Sequence, residues 1–437
     1  IIETAKKEQV DAIGLSGLIT PSLDEMVYVS KSMEKEALNI PLLIGGATTS
    51  RAHTAVKIAP KYDGPVVYVP DASRSVSVMQ SLMTPEQRKK YIANLDLDYE
   101  KIRLQHGKKK GATYLTLAEA RNNKLHLDFN PVKPKFIGRR VFKNIDLAIL
   151  VPYIDWTPFF QTWDLAGSYP KILEDQVVGK SAKQLFGEAQ KMLDKLVKEK
   201  KIRANGVVGF FPANSTNDDD IEVYEDDTRS KTLFTYFGLR QQTLKPTING
   251  TQKPNLCLAD YIAPKESDAN DYIGMFAVTA GEGGEHYESL FEKNHDDYGS
   301  IMFKALTDRL AEAFAEYMHE RVRTDLWGYA SNEKLDKDEL IKEVYEGIRP
   351  APGYPACPGH SIKKEIFKVL NTDEIGMSLT DNFAMNPASS VSGFYFAHPK
   401  AKYFSVDKID DDQLKDLAIR SSESIELLRA QLAPNIK

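Results

Sequence analysis

The chain has 437 residues, 42% hydrophobic and 27% charged, a balance that supports a buried core and excludes a disordered polymer. Its 57 basic against 62 acidic residues give a net charge of −5, so no global basic field draws nucleic acid, and no apolar run is long enough for a membrane-spanning helix. The length allows two or three domains at roughly 150 residues each, and the cysteines, Cys257 and Cys357, are too few for a disulfide framework or an all-thiolate zinc site and point to a reducing, cytoplasmic compartment.

Residues 1–7 read as the middle of an amphipathic helix, without an initiator Met or a signal-type apolar core, so the chain is expected to begin inside a domain. Residues 12–18, 40–46 and 65–70 are short, nearly continuous apolar runs. Helical patterns follow them over 24–37, 51–59 and from Ser73. This alternation predicts a parallel α/β sheet, of which only three strands are visible, so further strands are expected before residue 1.

Residues 86–135 are charged and lack a strong apolar face, and include the run Lys108-Lys109-Lys110. They read as a helix passing into a solvated linker. Beyond 136 the pattern changes. Strand-like runs at 206–211, 221–224, 232–237, 272–278 and 391–396 do not alternate with helices. A long helix over 300–327 carries Leu306, Leu310, Ala313, Phe314 and Tyr317 on one face and Glu312, Glu316 and Glu320 on another. The expected fold is therefore multidomain: an α/β Rossmann-like (flavodoxin-like) partial domain over 1–100, a linker over 101–135, and an α+β domain with a mostly antiparallel sheet over 136–437.

The first two expected strands end in loops of small and hydroxyl residues, including Ser16, Gly17, Thr20 and Ser22, then Gly45, Gly46, Thr48 and Ser50; the third leads to Asp71, Ala72 and Ser73. Ligands of open α/β sheets bind at such strand ends, where glycine admits a flat or phosphate-bearing group. The same residues also suit plain turns and helix N-caps, for which Ser22 and Ser50 are placed. No glycine fingerprint for a nicotinamide cofactor or a nucleoside triphosphate is present. In the second domain Asp155 lies in the aromatic run 153–160, Arg349 and Tyr354 lie in a proline-stiffened turn, and Tyr403-Phe404 follow His398-Pro399. These groups suit a ligand with a carboxylate, an ammonium and a sulfonium: Arg for the carboxylate, Asp for the ammonium, aromatic faces for the cation. Each could equally be structural.

Residues 14–26 (Gly-Leu-Ser-Gly-Leu-Ile-Thr-Pro-Ser-Leu-Asp-Glu-Met) and 43–50 (Leu-Ile-Gly-Gly-Ala-Thr-Thr-Ser) resemble the cobalamin-binding domain of cobalamin-dependent methionine synthases. Asp155-Trp156-x-Pro158-Phe159-Phe160, the run 308–323, and Arg349-Pro350-Ala351-Pro352-Gly353-Tyr354-Pro355 resemble the activation domain of the same family, whose S-adenosylmethionine signature is R-x-x-x-G-Y. The resemblance implies cobalamin contacts from Ser16, Thr20, Ser22, Gly45, Gly46 and Ala72. Ser22 would match the serine of a ligand triad whose Asp and His belong to an upstream D-x-H-x-x-G motif. It implies S-adenosylmethionine contacts from Asp155, Glu312, Arg349, Ala351 (backbone, to adenine), Gly353, Tyr354, Tyr403 and Phe404, the last standing where some members have tyrosine.

On that resemblance the chain is the C-terminal half of such an enzyme. It would carry out reductive methylation of cob(II)alamin to methylcobalamin, with flavodoxin or an equivalent reductase as electron donor. The implied cofactors are cobalamin, which brings cobalt, and S-adenosylmethionine. Zinc, the homocysteine module and the folate module belong to the rest of the enzyme, and the chain is expected to be a monomer. No metal ligand and no catalytic acid–base pair is expected here. Two other readings stay open: a non-catalytic corrinoid and S-adenosylmethionine sensor or scaffold that docks a redox partner, and a methyltransferase for another substrate.

Overall fold

The computed structural model describes residues 1–17, 22–46, 49–70, 72–109, 113–163, 165, 167–216, 218–248 and 250–437. The chain divides into two compact units, Ile1–Thr113 and Tyr114–Lys437.

The first unit is built on a three-stranded parallel sheet in the order β1 (Ile13–Ser16), β2 (Leu42–Gly45) and β3 (Val66–Tyr68), with Ile13 opposite Leu42 and Leu42 opposite Val66. Side chains of a strand alternate between faces. Leu42 and Ile44 pack with Met26 and Met33 of α1 (Ser22–Lys35), while Val67 and Val69 pack with Leu82 of α2 (Ala72–Met83). Two covered faces explain why the strands read as continuous apolar runs. The helix expected over 51–59 is irregular, passing from Arg51–His53 through a π turn, Thr54–Ile58, to a 3-10 turn, Ala59–Lys61, that contains Pro60. After α2 comes α3 (Pro85–Lys109), whose Tyr99 hydroxyl accepts the Tyr68 N–H at 3.0 Å.

The expected linker over 101–135 is not a free tether. Residues 101–109 continue α3, and 114–135 belong to the second unit. There Leu117 and Ala120 are buried, Arg121 pairs with Asp219 and Asp416, and the Trp327 indole N–H donates to the Val132 carbonyl at 2.7 Å. These anchors are local hydrogen bonds and ion pairs on a polar segment, so no apolar period announces them.

The second unit is an α+β fold on a six-stranded sheet whose pairings are all antiparallel. Its strands are β4 (Gly138–Ile145), β5 (Arg203–Thr216), β6 (Asp220–Tyr224), β7 (Thr232–Phe237), β8 (Asp271–Glu282) and β9 (Ser390–Tyr395). The order is β9-β8-β5-β6-β7, and β4 lies beside the first half of β5. Successive residues of β5 and β8 serve two cores. Val208, Phe210, Phe276 and Val278 face the helices α4 (Gly179–Glu199) and α5 (Asp297–Arg321), and Val207, Phe211, Met275 and Ala277 face α6 (Lys363–Leu370). Leu306, Leu310, Ala313 and Phe314 of α5 are buried against the sheet; Tyr317 is partly so.

A third cluster, Leu239, Val406, Leu414, Leu417 and Leu428, holds α7 (Asp411–Ser421) and α8 (Ile425–Gln431). Beneath it Arg240 is fully buried between Asp219 and Asp260, both at 2.7 Å, while its backbone N–H donates to Gln413 of α7 at 2.7 Å. Removing one member of such a buried set leaves its partners charged and unsolvated. Arg240→Leu is expected to cost about 3–5 kcal/mol in urea unfolding followed by tryptophan fluorescence. All the tryptophans lie in this unit, and a loss below about 1 kcal/mol would show that the pairs are not coupled to the fold.

Residues 348–350 run beside the end of β9. Ile348 and Phe396 exchange both backbone hydrogen bonds at 3.0 Å, and Phe394 N–H donates to the Pro350 carbonyl at 3.0 Å. Gly393 makes the approach possible, because a Cβ there would lie 2.6 Å from the Pro350 oxygen and 3.2 Å from Ala351 Cα. Gly393→Ala is therefore expected to destabilise the unit by about 1–3 kcal/mol in the same unfolding measurement. An unchanged midpoint would mean that the segment can lift off without cost.

Candidate functional site

Segment 348–356 and residues 403–405 form one wall of a cleft of about 470 Å³, with α5 on the other side. Phe276, Glu312, Glu343, Arg349, Pro350, Ala351, Tyr354, Tyr403 and Phe404 are among its lining residues. The Val406 N–H donates to the Pro355 carbonyl at 2.8 Å and ties the two segments of that wall together. Tight turns shape the mouth: Gly353 N–H donates to the Cys357 carbonyl at 2.7 Å, and Gly353 has φ +96°, a conformation that suits glycine.

Arg349 is the fixed point of the cleft. Ile348 on its N-terminal side turns into the α6-side core, so the alternation of an extended segment sends Arg349 toward α5. Its Nη2 lies 2.7 Å from Glu316 Oε2, and Nη1 donates to the Tyr345 hydroxyl and His319 Nδ1, each at 3.2 Å. The Arg349 backbone N–H donates to the Tyr403 hydroxyl at 3.0 Å. Burial opposes the guanidinium's charge, but Glu316, Tyr345 and Tyr403 outweigh it and hold the group firmly protonated. A guanidinium has five N–H donors. Nη1 uses two and Nη2 one, so one N–H on Nη2 and the one on Nε have no acceptor among the described residues.

The other charges of the cleft are negative. Tyr354 is exposed at the mouth and its hydroxyl donates to Glu312 Oε1 at 3.3 Å. The negative charge of Glu312 and then partial burial push its phenol up. Glu343 sits in a left-handed conformation, φ +55°, and burial raises its carboxyl despite Arg349 nearby. Two carboxylates thus line the cleft against one guanidinium that Glu316 already neutralises.

Of the residues expected in one site, Glu312, Arg349, Ala351, Tyr354, Tyr403 and Phe404 share this cleft. Gly353 shapes its turn without lining it. Asp155 does not line it either; its Oδ1 accepts the Thr157 N–H at 2.9 Å, and the neighbouring Tyr153 donates to Glu320 of α5 at 2.5 Å. Sequence reasoning missed Glu343 and Phe276 in the lining, and it gave no role to Glu316 and His319. The last two could have been found: with Glu312 they stand four and seven positions apart on a helix, which is one stripe.

In the first unit, Gly14, Leu15, Ser16, Leu43, Gly45, Gly46, Val69 and Ser75 line a cleft of about 300 Å³ at the carboxyl ends of the strands. Gly46 has φ +103°, and a Cβ there would meet the backbone of Gly17 at 2.3 Å. Ser50 is a helix N-cap, its hydroxyl accepting the His53 N–H at 3.1 Å. Ser22 opens α1 and Ala72 opens α2. Thr20, Thr48, Asp71 and Lys110 lie outside the described residues. Among the described residues no group of His, Cys, Asp and Glu could hold a metal ion, and no helix is long and apolar enough to cross a membrane.

Comparison with known proteins gives this geometry a family. A solved structure described as "Crystal Structure of the MetH Reactivation Domain bound to AdoHcy" is 50% identical, with a TM-score of 0.70 over 74% of this chain and 98% of that one. Residues 146–422, all within the second unit, match the family "Vitamin B12 dependent methionine synthase, activation domain". A match over more than half of the chain, around the cleft built on Arg349, places this protein in the vitamin B12-dependent methionine synthase activation-domain family.

Proposed function

We propose that the second unit binds S-adenosylmethionine in the Arg349 cleft and presents its methyl group to a cobalamin held by the first unit, so that the chain reactivates a cobalamin-dependent methionine synthase. The observation that carries this reading is the guanidinium of Arg349, locked from behind by Glu316 and with N–H groups on Nε and Nη2 left for a carboxylate. S-adenosylmethionine also carries an ammonium and a sulfonium. Glu312 and Glu343 supply the opposite charge, and Phe276, Tyr403 and Phe404 supply aromatic faces for the cation. Ala351 would hold adenine through its backbone, and Gly353 keeps the turn that carries Tyr354. The family resemblance also assigns Asp155 to the ammonium; it stands outside the cleft lining, and its Oδ2 has no partner among the described residues.

A sulfonium is already an activated leaving group, so these residues need to bind, orient and exclude water rather than transfer protons. The proposed corrinoid site in the first unit is the cleft at the carboxyl ends of its strands. Gly45 and Gly46 line the strand-end cleft beside Ser16, Gly46 so close to Gly17 that a Cβ would meet its backbone at 2.3 Å, and Thr20, Ser22 and Ala72 complete the proposed set. Cobalamin, when bound, supplies the nucleophilic cobalt that accepts the methyl group. The MetH domain crystallised with AdoHcy supports the same reading, because AdoHcy is what S-adenosylmethionine becomes on losing its methyl. We place the enzyme in the cytoplasm, with flavodoxin or an equivalent reductase as its electron donor and the homocysteine and folate modules as its partners.

The test is to supply the protein with cob(II)alamin, a low-potential reductant and methyl-labelled S-adenosylmethionine. Label is expected on the corrinoid, and about tenfold less or lower still when Arg349 is changed to Ala at sub-saturating ligand. Binding without transfer would make the chain a sensor or scaffold, and transfer to a different acceptor would make it another kind of methyltransferase.

A further inference from the structure

His319 lies on α5 one turn beyond Glu316, fully buried, where no solvent competes for its ring nitrogens. Its Nδ1 is 3.2 Å from Arg349 Nη1, and its Nε2 is 3.5 Å from the Tyr329 hydroxyl. The ring is stacked on Tyr395 at 5.3 Å and met edge-on by Tyr345 at 4.7 Å. Tyr395 is stacked in turn on Phe276, a wall of the cleft, at 4.7 Å. The other buried cation nearby, Arg323, is paired with Glu333 at 2.8 Å and lies over the Tyr345 ring at 4.3 Å. Its Nε donates to Glu333 at 2.8 Å, Nη1 and Nη2 have no hydrogen-bond partner among the described residues, and no hydrogen bond joins this guanidinium to the imidazole.

An Arg N–H cannot accept, so the His319 nitrogen facing it must be a lone pair, and the proton must sit on Nε2, toward Tyr329. We infer that His319 is a positioning residue for ligand binding: as a neutral imidazole it accepts from Arg349 Nη1 and holds the guanidinium so that its Nε and Nη2 donors stay available to the ligand carboxylate. This rests on the reading of the cleft as an S-adenosylmethionine site. The charged and titratable groups around the ring are Arg323, Arg349, Glu316, Tyr329, Tyr345 and Tyr395. Burial first, then the two guanidinium charges, push the imidazole well below its usual range, which keeps Nδ1 free to accept.

A buried histidine that merely fills space predicts the opposite response to a pair of substitutions. His319→Phe keeps a ring and removes the acceptor; His319→Asn loses the ring and keeps an acceptor near the position of Nδ1. Calorimetry on the full chain is expected to show S-adenosylmethionine weakened about tenfold or more by His319→Phe and less than about threefold by His319→Asn. Decarboxylated S-adenosylmethionine, which has no carboxylate to place, is expected to bind His319→Phe and the unaltered protein alike. Tight binding by His319→Phe with loss in His319→Asn, or equal loss of both ligands, overturns the inference while leaving the cleft assignment intact. Failure of the unaltered protein to bind S-adenosylmethionine overturns both. A measurement needing no variant is the ¹⁵N spectrum of the histidine-labelled protein. It should show His319 neutral with Nδ1 unprotonated, and a proton on Nδ1 would refute the assignment.

Discussion

Everything proposed for the second unit depends on the ion pair between Arg349 and Glu316. It joins a segment running beside β9 to a helix on the same face of the sheet, and it does so with 17% and 13% of the two side chains exposed. A pair this dry is costly to assemble from separate solvated ions. Its stabilising contribution is therefore a weak reason for the sequence to keep it. Positional definition is a stronger one: Glu316, His319 and Tyr345 fix three N–H directions and thereby define the remaining two.

The rest of the fold serves that definition. Continuous burial of β5 and β8 on both faces gives α5 a rigid bed, and Phe314 packs against Gly206, where a Cβ would stand only 3.0 Å from its ring. Gly393 admits residues 350–351 to the sheet, and prolines at 350, 352 and 355 stiffen the turn that follows. The C-terminal helices are held by buried carboxylate–guanidinium contacts among Arg240, Arg420, Asp219 and Asp220, so the Tyr403–Ser405 wall is anchored from two directions. In the proposed site, ligand ordering then costs little, because Arg349 and Tyr403 are held by protein contacts before a ligand arrives.

Much of this was legible in the sequence, and the reason is burial. Runs such as 206–211 and 272–278 are apolar without alternation because both faces are covered, and each belongs to a central strand. β4 was not readable: Arg139, Arg140 and Lys143 give it the look of a solvated loop, and its pairing with β5 is what makes it a strand. α4 carries Ala182, Leu185, Ala189, Leu193 and Leu196 at helical spacing, a signal that was present and unassigned. In the cleft, Arg349 and Tyr354 stand out because prolines surround them. Glu343 does not, since a lone acid in a charged stretch has no pattern, and it lines the cleft from a left-handed backbone position. Asp155 shows the converse, a residue conspicuous in sequence whose carboxylate is partly occupied by a local turn.

The claim that Arg349 is an immobilised carboxylate receptor is tested most directly by a two-by-two calorimetric comparison. The unaltered protein and Arg349→Ala are each titrated with S-adenosylmethionine and with its decarboxylated form, so that any general change in the cleft affects both ligands alike. The account predicts that Arg349→Ala weakens S-adenosylmethionine by roughly 1.5–3 kcal/mol and leaves the decarboxylated ligand nearly unchanged. Equal weakening of the two ligands, or none of either, would contradict it.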